Sequence, residues 1–439
     1  MDPKNLAFAL GYTKCLLKLS KFTQIIELSN VIPFLASSSE CWRFLSIAYY
    51  KRADYKMANG CCIEALRLDS ENKLADKQRK YLKKLGKGNL NDRLTIRYEK
   101  KVIDYEPDYF KNSKSNENLV YNILSIDGGG IRDILPALWL SEIEYRTHRP
   151  ISHLFNMIAG TSTGGIIAAG LSAPVLHDKS YSNIQPVFSA SELLDFYRNH
   201  AMKLFTVDEN QNYFTSFLSS TKYKYTNSGR SALFKERFNK TKLHQSLTEL
   251  VIPATNEVTP YLFTRYDACN DELKNDSFVD TLMATTATPT FFPPYEIKNK
   301  GVFLDGGVHI NNPAMTAYHE AIRYNVDIKK VFMLSLGTGS YIPNPSKPDL
   351  YREKLFWSQN SYKISEDENE IDRQMYHLLG NCYQRWQVWL EEPIGLDYCK
   401  MIPHLLEIGN QYLEELDYSD ENPINKLVES FENKNFLLY

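Results

Sequence analysis

A serine flanked by glycines is the strongest chemical signal in the sequence, at Gly160-Thr161-Ser162-Thr163-Gly164. The apolar run Asn156–Ala159 precedes it, and a helical pattern over Gly165–Leu171 follows. Glycines on both sides of a serine allow a sharp strand-to-helix turn, which places the hydroxyl at the head of the helix. The pattern therefore predicts a nucleophilic serine.

A serine hydroxyl is a weak nucleophile near neutral pH and needs a general base, for which Asp305 is the candidate. Asp305 directly follows the short apolar run Val302–Leu304 and precedes two glycines. A carboxylate acts as a base when burial raises its pKa and it lies within hydrogen-bond reach of the hydroxyl. Two alternatives stay open. The segment is an ordinary Asp-Gly-Gly turn, or His309 completes a Ser-Asp-His triad.

A glycine-rich turn is the third signal, at Asp127-Gly128-Gly129-Gly130-Ile131-Arg132, directly after the apolar run Ile123–Ile126. Backbone N–H groups at a strand-to-helix turn bind a phosphate or an oxyanion, because unpaired donors and the helix dipole both favour negative charge. Asp133 stands where the dinucleotide-binding pattern requires a glycine. The sequence therefore disfavours dinucleotide binding.

In chain order, the glycine-rich turn from Asp127, the serine turn from Gly160 and the turn at Asp305 resemble the motifs of the patatin-like phospholipases, which are lipid acyl hydrolases with a Ser-Asp dyad. The resemblance extends over roughly residues 121–416. It includes the segments Tyr266–Ala268, Ala284–Pro294, Leu334–Gly339 and Leu405–Gly409. The resemblance implies a three-layer α/β/α domain. We expect no cofactor and no metal, because the sequence lacks Cys/His ligand spacing and a serine mechanism needs neither.

The resemblance also assigns the catalytic roles. It implies that Ser162 attacks an ester carbonyl, while Asp305 accepts the proton of the serine and later activates water. The N–H groups of Gly128, Gly129 and Gly130 would form the oxyanion hole, where one donor typically contributes about 3 kcal/mol of transition-state stabilisation.

Two neighbouring residues, Arg132 and Asp133, each have more than one expected role. Arg132 matches an arginine of the family, and it steadies the glycine-rich loop, meets a phosphate headgroup or pairs with a nearby acid. Asp133 departs from the family pattern, in which a small residue is usual at this position. We expect Asp133 to cap the following helix or to pair with Arg132.

The sequence predicts four consecutive parts. The spacing of apolar residues predicts consecutive helices over residues 1–86. One stretch of this part resembles a tetratricopeptide repeat, at Trp42, Leu45, Tyr49, Ala58 and Ala65. A linker is predicted at residues 87–118, a patatin-like domain at residues 119–418 and a C-terminal tail at residues 419–439. The helical part is either a cap on the rest of the chain or a module that binds a protein partner.

Short apolar runs alternate with helical stretches in the predicted domain, which indicates an α/β sheet with helices on both faces. The predicted buried strands are Tyr121–Ile126, Leu154–Ala159, Tyr261–Tyr266, Val302–Leu304 and Val331–Leu336. An amphipathic helix is predicted over Leu405–Leu416.

Composition and charge exclude several classes of protein. The 439 residues are 43% hydrophobic and 24% charged, which is ordinary for folded domains and unlike disordered, collagen-like or coiled-coil chains. The net charge of −2 supplies no overall field for binding nucleic acid. The seven cysteines form no C-x-x-C pair, and we interpret them as reduced.

The sequence shows no signal peptide and no membrane span. Lys14 and Lys18 interrupt the apolar stretch Leu6–Leu19, and glycines break the apolar run Met157–Leu176. We therefore expect a cytoplasmic protein, peripheral at membranes when it meets its substrate. Tyr213–Arg237 mixes aromatic residues with lysines and is a candidate lipid contact, or simply part of the fold.

The expected function is that of a serine esterase of the phospholipase A type, which cleaves fatty acyl esters of phospholipids or glycerolipids. Two other functions fit the same sequence. One is acyl transfer by the same dyad to an acceptor other than water. The other is a catalytically silent or partner-activated interaction protein, whose N-terminal helices bind a protein.

Overall fold

The computed structural model describes residues 6–18, 21–31, 37–51, 55–85, 120–175, 185–206, 223–341, 368–418 and 423–433. The chain divides into two compact units, Met1–Lys101 and Val102–Tyr439. The predicted linker, residues 87–118, lies outside the described residues.

The described part of the N-terminal unit is helical. Its helices are Leu6–Lys18, Phe22–Val31, Ser39–Lys51, Tyr55–Leu68 and Lys73–Leu85. The third and fourth helices run antiparallel, because Ser39 Oγ donates to Ala65 O at 2.8 Å and Ser46 Oγ donates to Ala58 O at 2.7 Å. Helical structure agrees with the prediction, and the agreement with a tetratricopeptide repeat is loose.

A mixed sheet of eight strands forms the centre of the second unit. Its strands are β1 (Tyr121–Ile126), β2 (Met157–Gly160), β3 (Glu249–Asn256), β4 (Thr259–Thr264), β5 (Tyr295–Ile297), β6 (Gly301–Asp305), β7 (Val331–Leu336) and β9 (Tyr383–Trp386). Two short strands form a separate parallel pair, β8 (Ser340–Tyr341) and β10 (Trp389–Leu390). The order is β5-β6-β3-β2-β1-β7-β9, and β4 pairs with β3.

Parallel pairing at the centre of the sheet brings two motifs together. Ile126, the last residue of β1, lies beside Gly160 at the end of β2 and Leu336 at the end of β7. Because parallel strands end at the same edge, the glycine-rich turn and the serine turn start side by side. Asp305 ends β6, which pairs antiparallel with β3 at Ala254. The third motif thus joins the same sheet through β3.

Apolar layers cover both faces of the sheet. Ile123 and Met157 belong to one cluster of buried residues, whereas their chain neighbours Leu124 and Ile158 belong to another. Successive side chains of a strand point to opposite faces, so the two clusters lie on opposite sides of the sheet. The predicted three-layer α/β/α fold is confirmed.

Helices of the second unit form the two outer layers. The larger layer contains Ile134–Thr147, Thr163–Ser172, Ala190–His200, Ser228–Phe238, Phe278–Thr285, Ile402–Tyr418 and Pro423–Asn433. The smaller layer contains Ala314–Arg323 and Glu368–Leu379. The short helix Arg265–Asn270 follows β4. No helix in the described ranges combines the length and the apolarity needed to span a membrane.

Two predicted strands have different limits in the structure. The strand predicted from Leu154 begins only at Met157, because Ile151–His153 forms a short 3-10 helix. The strand predicted over Tyr261–Tyr266 ends at Thr264, whose side chain accepts a hydrogen bond from Asp267 N–H and caps the helix Arg265–Asn270.

Part of the segment predicted as a C-terminal tail is packed on the domain. The helix Pro423–Asn433 contributes Ile424, Leu427 and Phe431 to the larger apolar cluster. Arg146 links the domain to this helix, since its Nη1 donates to Asn425 Oδ1 at 2.8 Å.

We predict that Leu427→Ala destabilises the second unit. Leu427 is fully buried, and truncating a buried leucine to alanine costs about 2–5 kcal/mol of unfolding free energy. Lys426→Ala changes an exposed neighbour on the same helix and should cost little. Chemical denaturation of both variants measures the difference, and equal unfolding free energies would show that this helix does not stabilise the domain.

Candidate active site

Ser162 occupies a strained turn between β2 and the helix Thr163–Ser172. Its φ of 54° and ψ of −122° are unfavourable for a residue with a Cβ. A Cβ on Gly160 would overlap the carbonyl of Gly164, so glycine permits the close approach of strand and helix. Ser162 N–H donates to Thr285 Oγ1 at 3.0 Å, which helps to hold the turn. The serine therefore lies at the head of the helix.

The carboxylate of Asp305 contacts the Ser162 hydroxyl directly. Ser162 Oγ donates to Asp305 Oδ2 at 2.7 Å, and Gly307 N–H donates to Asp305 Oδ1 at 2.8 Å. Asp305 is 4% exposed. Burial raises the pKa of Asp305, while hydrogen bonds from Thr288, Ser162 and Gly307 act in the opposite direction. A buried carboxylate in contact with a hydroxyl is the geometry that general-base chemistry requires.

Two threonines support this pair, Thr285 at the end of the helix Phe278–Thr285 and Thr288 between that helix and β5. Thr288 Oγ1 donates to Asp305 Oδ2 at 2.6 Å. Thr285 Oγ1, which accepts from Ser162 N–H, donates to Pro253 O at 2.6 Å. The sequence marks their segment as typical of the family but not these roles, because the partners are distant in the chain. The only local sign of these roles is the run of threonines among apolar residues over Thr285–Thr290.

Each N–H group predicted for the oxyanion hole has an intramolecular partner. Gly128 N–H donates to Asn311 O at 3.2 Å. Gly129 N–H and Gly130 N–H both donate to Thr163 Oγ1, at 3.3 and 2.8 Å. The hydrogen bonds of Gly128 and Gly129 are long, so both are weaker than the hydrogen bond of Gly130.

The path of the glycine-rich loop depends on Gly130 and on a second loop that contains Leu396. Gly130 has a φ of 64°, which is unfavourable for other residues. A Cβ at this position would overlap the backbone of Leu396. Ile131 N–H donates to Leu396 O at 2.8 Å. The two loops therefore fix each other.

Asp133 contacts the hydroxyl that receives two of the loop amides. Its side chain is fully buried, and its Oδ2 is hydrogen-bonded to Thr163 Oγ1. The expectation that Asp133 caps the following helix is wrong, since its side chain makes no capping hydrogen bond. Its Oδ1 has no hydrogen-bond partner. Burial raises the pKa of Asp133 well above the ordinary value, against the opposing effect of the Thr163 hydrogen bond.

Two arginines hold the loop from outside the dyad. Arg132 is 3% exposed and donates to the carbonyls of Gly129 and Gly339, both at 3.2 Å. Of the three roles expected for Arg132, these contacts favour support of the loop. Arg385 forms a two-pronged ion pair with Asp127, with distances of 2.5 and 3.0 Å. The sequence analysis did not single out Arg385, because nothing in its local pattern marks a buried partner.

The remaining candidates take no part in the hydrogen bond between Ser162 and Asp305. His309 is half-exposed and ends the short turn after Asp305, where its N–H donates to Gly306 O at 3.1 Å. The first ten residues of Tyr213–Arg237 lie outside the described residues, and Phe234 within it is buried in the core. Across the described ranges, no cluster of three or more His, Cys, Asp or Glu side chains is placed to hold a metal ion.

Comparison with known proteins relates this site to one family. The family model described as Patatin-like phospholipase matches residues 124–318. Patatin-like protein 2 of Arabidopsis thaliana is 35% identical over 255 residues, which cover 51% of this chain and 61% of that protein. Patatin-like protein 2 of Oryza sativa subsp. indica is 30% identical over 270 residues, covering 53% and 64%. Patatin-17 of Solanum cardiophyllum is 31% identical over 247 residues, covering 50% and 60%.

The matches span less than two thirds of the length of these relatives. Among solved structures, VipD from Legionella pneumophila matches with a TM-score of 0.33 and 10% identity, covering 71% of this chain and 67% of that one. This likeness is too weak to inform the fold or the function.

We predict that Asp133→Asn changes how stability depends on pH. Because the native pKa of Asp133 is raised, its contribution is fully present below the ordinary value of 3.8 and is lost as pH rises through the native pKa. The asparagine variant lacks this loss, so its unfolding free energy relative to wild type should increase with pH. The gain is about 1.4 kcal/mol for each unit by which the pKa is raised.

Thermal and chemical denaturation across the acidic to neutral range measure this effect. Asp195→Asn is the matched control, because Asp195 is an exposed acid on the helix Ala190–His200. A difference between Asp133→Asn and wild type that stays constant with pH would contradict the prediction.

Proposed function

Because residues 124–318 match the family model described as Patatin-like phospholipase, we propose that this protein is a lipid acyl hydrolase. Its substrates are fatty acyl esters of phospholipids or glycerolipids, and Ser162 and Asp305 form its catalytic dyad. One observation carries the proposal, namely the direct 2.7 Å hydrogen bond from Ser162 Oγ to Asp305 Oδ2. The positive φ of Ser162 supports it, since strained backbone is common at nucleophiles in such turns.

The dyad carries out the first half of the reaction. Ser162 Oγ attacks the ester carbonyl while Asp305 Oδ2 accepts its proton. The tetrahedral intermediate then collapses, the alcohol part of the lipid leaves with a proton from Asp305, and the acyl group stays on Ser162. In the second half, water attacks the acyl carbonyl while Asp305 removes one of its protons. The second tetrahedral intermediate then collapses, the fatty acid leaves, and Asp305 returns the proton to Ser162 Oγ.

The glycine-rich loop stabilises the oxyanion of the intermediate. The long hydrogen bonds of Gly128 and Gly129 suit these two amides to this role, because little is lost when they turn to a charged oxygen. Gly130 N–H keeps its shorter bond to Thr163 and holds the loop in place. The N-terminal end of the helix Thr163–Ser172 adds a favourable dipole.

The direct hydroxyl–carboxylate contact favours the dyad over a triad. In a Ser-His-Asp triad an imidazole lies between the serine and the acid, whereas Ser162 donates to Asp305 itself. We therefore give His309 no role in proton transfer. Acyl transfer would use the same dyad with a different acceptor, and the nature of the released product distinguishes the two reactions.

Two parts of the proposal concern partners. Peripheral binding to a lipid surface follows from the substrate class, because the acyl ester lies in a membrane. The N-terminal helical unit is our candidate for binding a protein partner that regulates the activity. Its antiparallel pair Ser39–Lys51 and Tyr55–Leu68 supports this role by analogy with helical repeat modules.

We predict that Ser162→Ala and Asp305→Asn each abolish fatty-acid release from mixed phospholipid vesicles. Each variant removes one member of the dyad, so the rate of fatty-acid release should fall roughly a thousandfold or more. His309→Ala should retain the turnover of wild type. Fatty acid is quantified with purified full-length protein in the presence of a chelator.

Three results would contradict this proposal. Activity in Ser162→Ala would exclude the nucleophile, and a loss in His309→Ala as large as that in Ser162→Ala would favour a triad. Absence of release by a folded wild type, with and without cell extract as a source of activator, would favour an interaction protein.

A further inference from the structure

Arg230 is a buried positive charge that contacts no acidic side chain among the residues that the structure describes. It lies on the helix Ser228–Phe238 and is 1% exposed. Its Nη1 donates to Thr286 O at 2.6 Å and to Thr286 Oγ1 at 2.5 Å, and its Nη2 donates to Asn227 Oδ1. Its guanidinium carbon lies 3.8 Å from the centre of the Phe292 ring. All of these partners are neutral, and Arg230 Nε has none.

Such an arrangement is costly unless a negative charge lies nearby. Burying a guanidinium removes its hydration, and neutral carbonyl and hydroxyl groups compensate only in part. The effect is visible in the pKa of Arg230, which burial lowers to about 9. The charge of Asp305 acts in the opposite direction and raises that pKa. Asp305 is thus the acid that offsets the buried arginine.

The backbone joins Arg230 to Asp305 through three consecutive residues. Arg230 holds Thr286 by the two hydrogen bonds from Nη1. Ala287 O accepts a hydrogen bond from Asp305 N–H at 3.1 Å. Thr288 Oγ1 donates to the Asp305 carboxylate at 2.6 Å. A shift of Arg230 would therefore move the segment that holds the carboxylate beside the serine.

We propose that Arg230 is a positioning residue for Asp305. It fixes the segment Thr286–Thr288, and its buried charge favours the ionised carboxylate that must accept the proton of Ser162. The inference rests on the proposed function and deepens it, because a fully buried general base needs a source of positive charge. The charge of Arg230 indeed lowers the pKa of Asp305 against the effect of burial.

The other titratable groups near this pair are few in the described structure. Tyr295 of β5 acts on Arg230, and its hydroxyl donates to Asp280 Oδ1 at 2.7 Å. Asp280 lies on the helix Phe278–Thr285. Burial raises the pKa of Tyr295 above its ordinary value, so this phenol is neutral in the range where a carboxylate titrates. Arg230 is the positive charge that lowers the pKa of Asp305.

The test compares Arg230→Gln with Arg230→Lys across pH. Glutamine removes the charge and keeps a hydrogen-bond donor for Thr286, whereas lysine keeps the charge and loses the forked geometry. Without the charge, the pKa of Asp305 rises further, so the acid limb of kcat/KM should move to higher pH in Arg230→Gln. At acidic pH, kcat/KM of Arg230→Gln should fall roughly tenfold below that of wild type for each unit by which the pKa of Asp305 rises. The activity of the variant should recover as pH rises. Arg230→Lys should keep the limb of wild type.

Arg237→Gln is the matched control, because it makes the same change at an exposed position of the same helix. Its acid limb should coincide with that of wild type. If Arg230→Gln only lowers activity by the same factor at every pH, Arg230 has a structural role alone, and the inference is overturned. An unchanged acid limb in a fully active Arg230→Gln overturns it as well.

A measurement without turnover separates this inference from the proposed function. With 13C-labelled aspartate, the Asp305 carboxyl signal is identified by its absence in Asp305→Asn, and its titration is followed in wild type and in Arg230→Gln. A midpoint displaced to higher pH in Arg230→Gln supports the inference even if no lipid is hydrolysed. Equal midpoints overturn it, whatever the activity of the protein.

Discussion

The sheet of the second unit brings two distant residues into one hydrogen bond, from the Ser162 hydroxyl to the Asp305 carboxylate. The two residues are 143 positions apart in the chain, so the sheet must bring them together. Parallel pairing of β1 and β2 sets the serine turn beside the glycine-rich turn. Antiparallel pairing of β3 with β6 then delivers Asp305 to the same site. A mixed sheet meets both requirements, because β3 pairs with β2 over its first half and with β6 over its second half.

This contact has an electrostatic cost that the surrounding residues offset. A buried carboxylate loses its hydration, and the protein replaces the lost water with donors and charge. Thr288, Ser162 and Gly307 supply hydrogen bonds to Asp305, and Arg230 supplies the positive charge. In the glycine-rich loop, the buried carboxylate of Asp127 is likewise compensated by an ion pair with Arg385. The partners of Asp305 and Asp127 therefore lie on other elements, and their positions are set by the fold as a whole.

Sequence reasoning predicts those features that local chemistry determines. The strand Tyr121–Ile126 and the turn around Ser162 follow from an apolar run and from glycine spacing. It did not predict β3, because Pro253 interrupts the run. The structure accommodates this proline where pairing passes from β2 to β6, so residue 253 belongs to neither of these ladders. The role of Arg230 was also inaccessible, since its partners come from distant segments.

Two buried acids near the serine are held in different environments, and the difference matters for the proposed chemistry. Asp305 receives hydrogen bonds on both carboxylate oxygens and the field of Arg230. Asp133 has a hydrogen bond to Thr163 on one oxygen and no partner on the other, and burial raises its pKa well above the ordinary value. The raised pKa of Asp133 disfavours a second negative charge beside the glycine-rich loop, and such a charge would oppose a developing oxyanion. Burial raises the pKa of both acids, and they differ in the donors and charges that favour the ionised form.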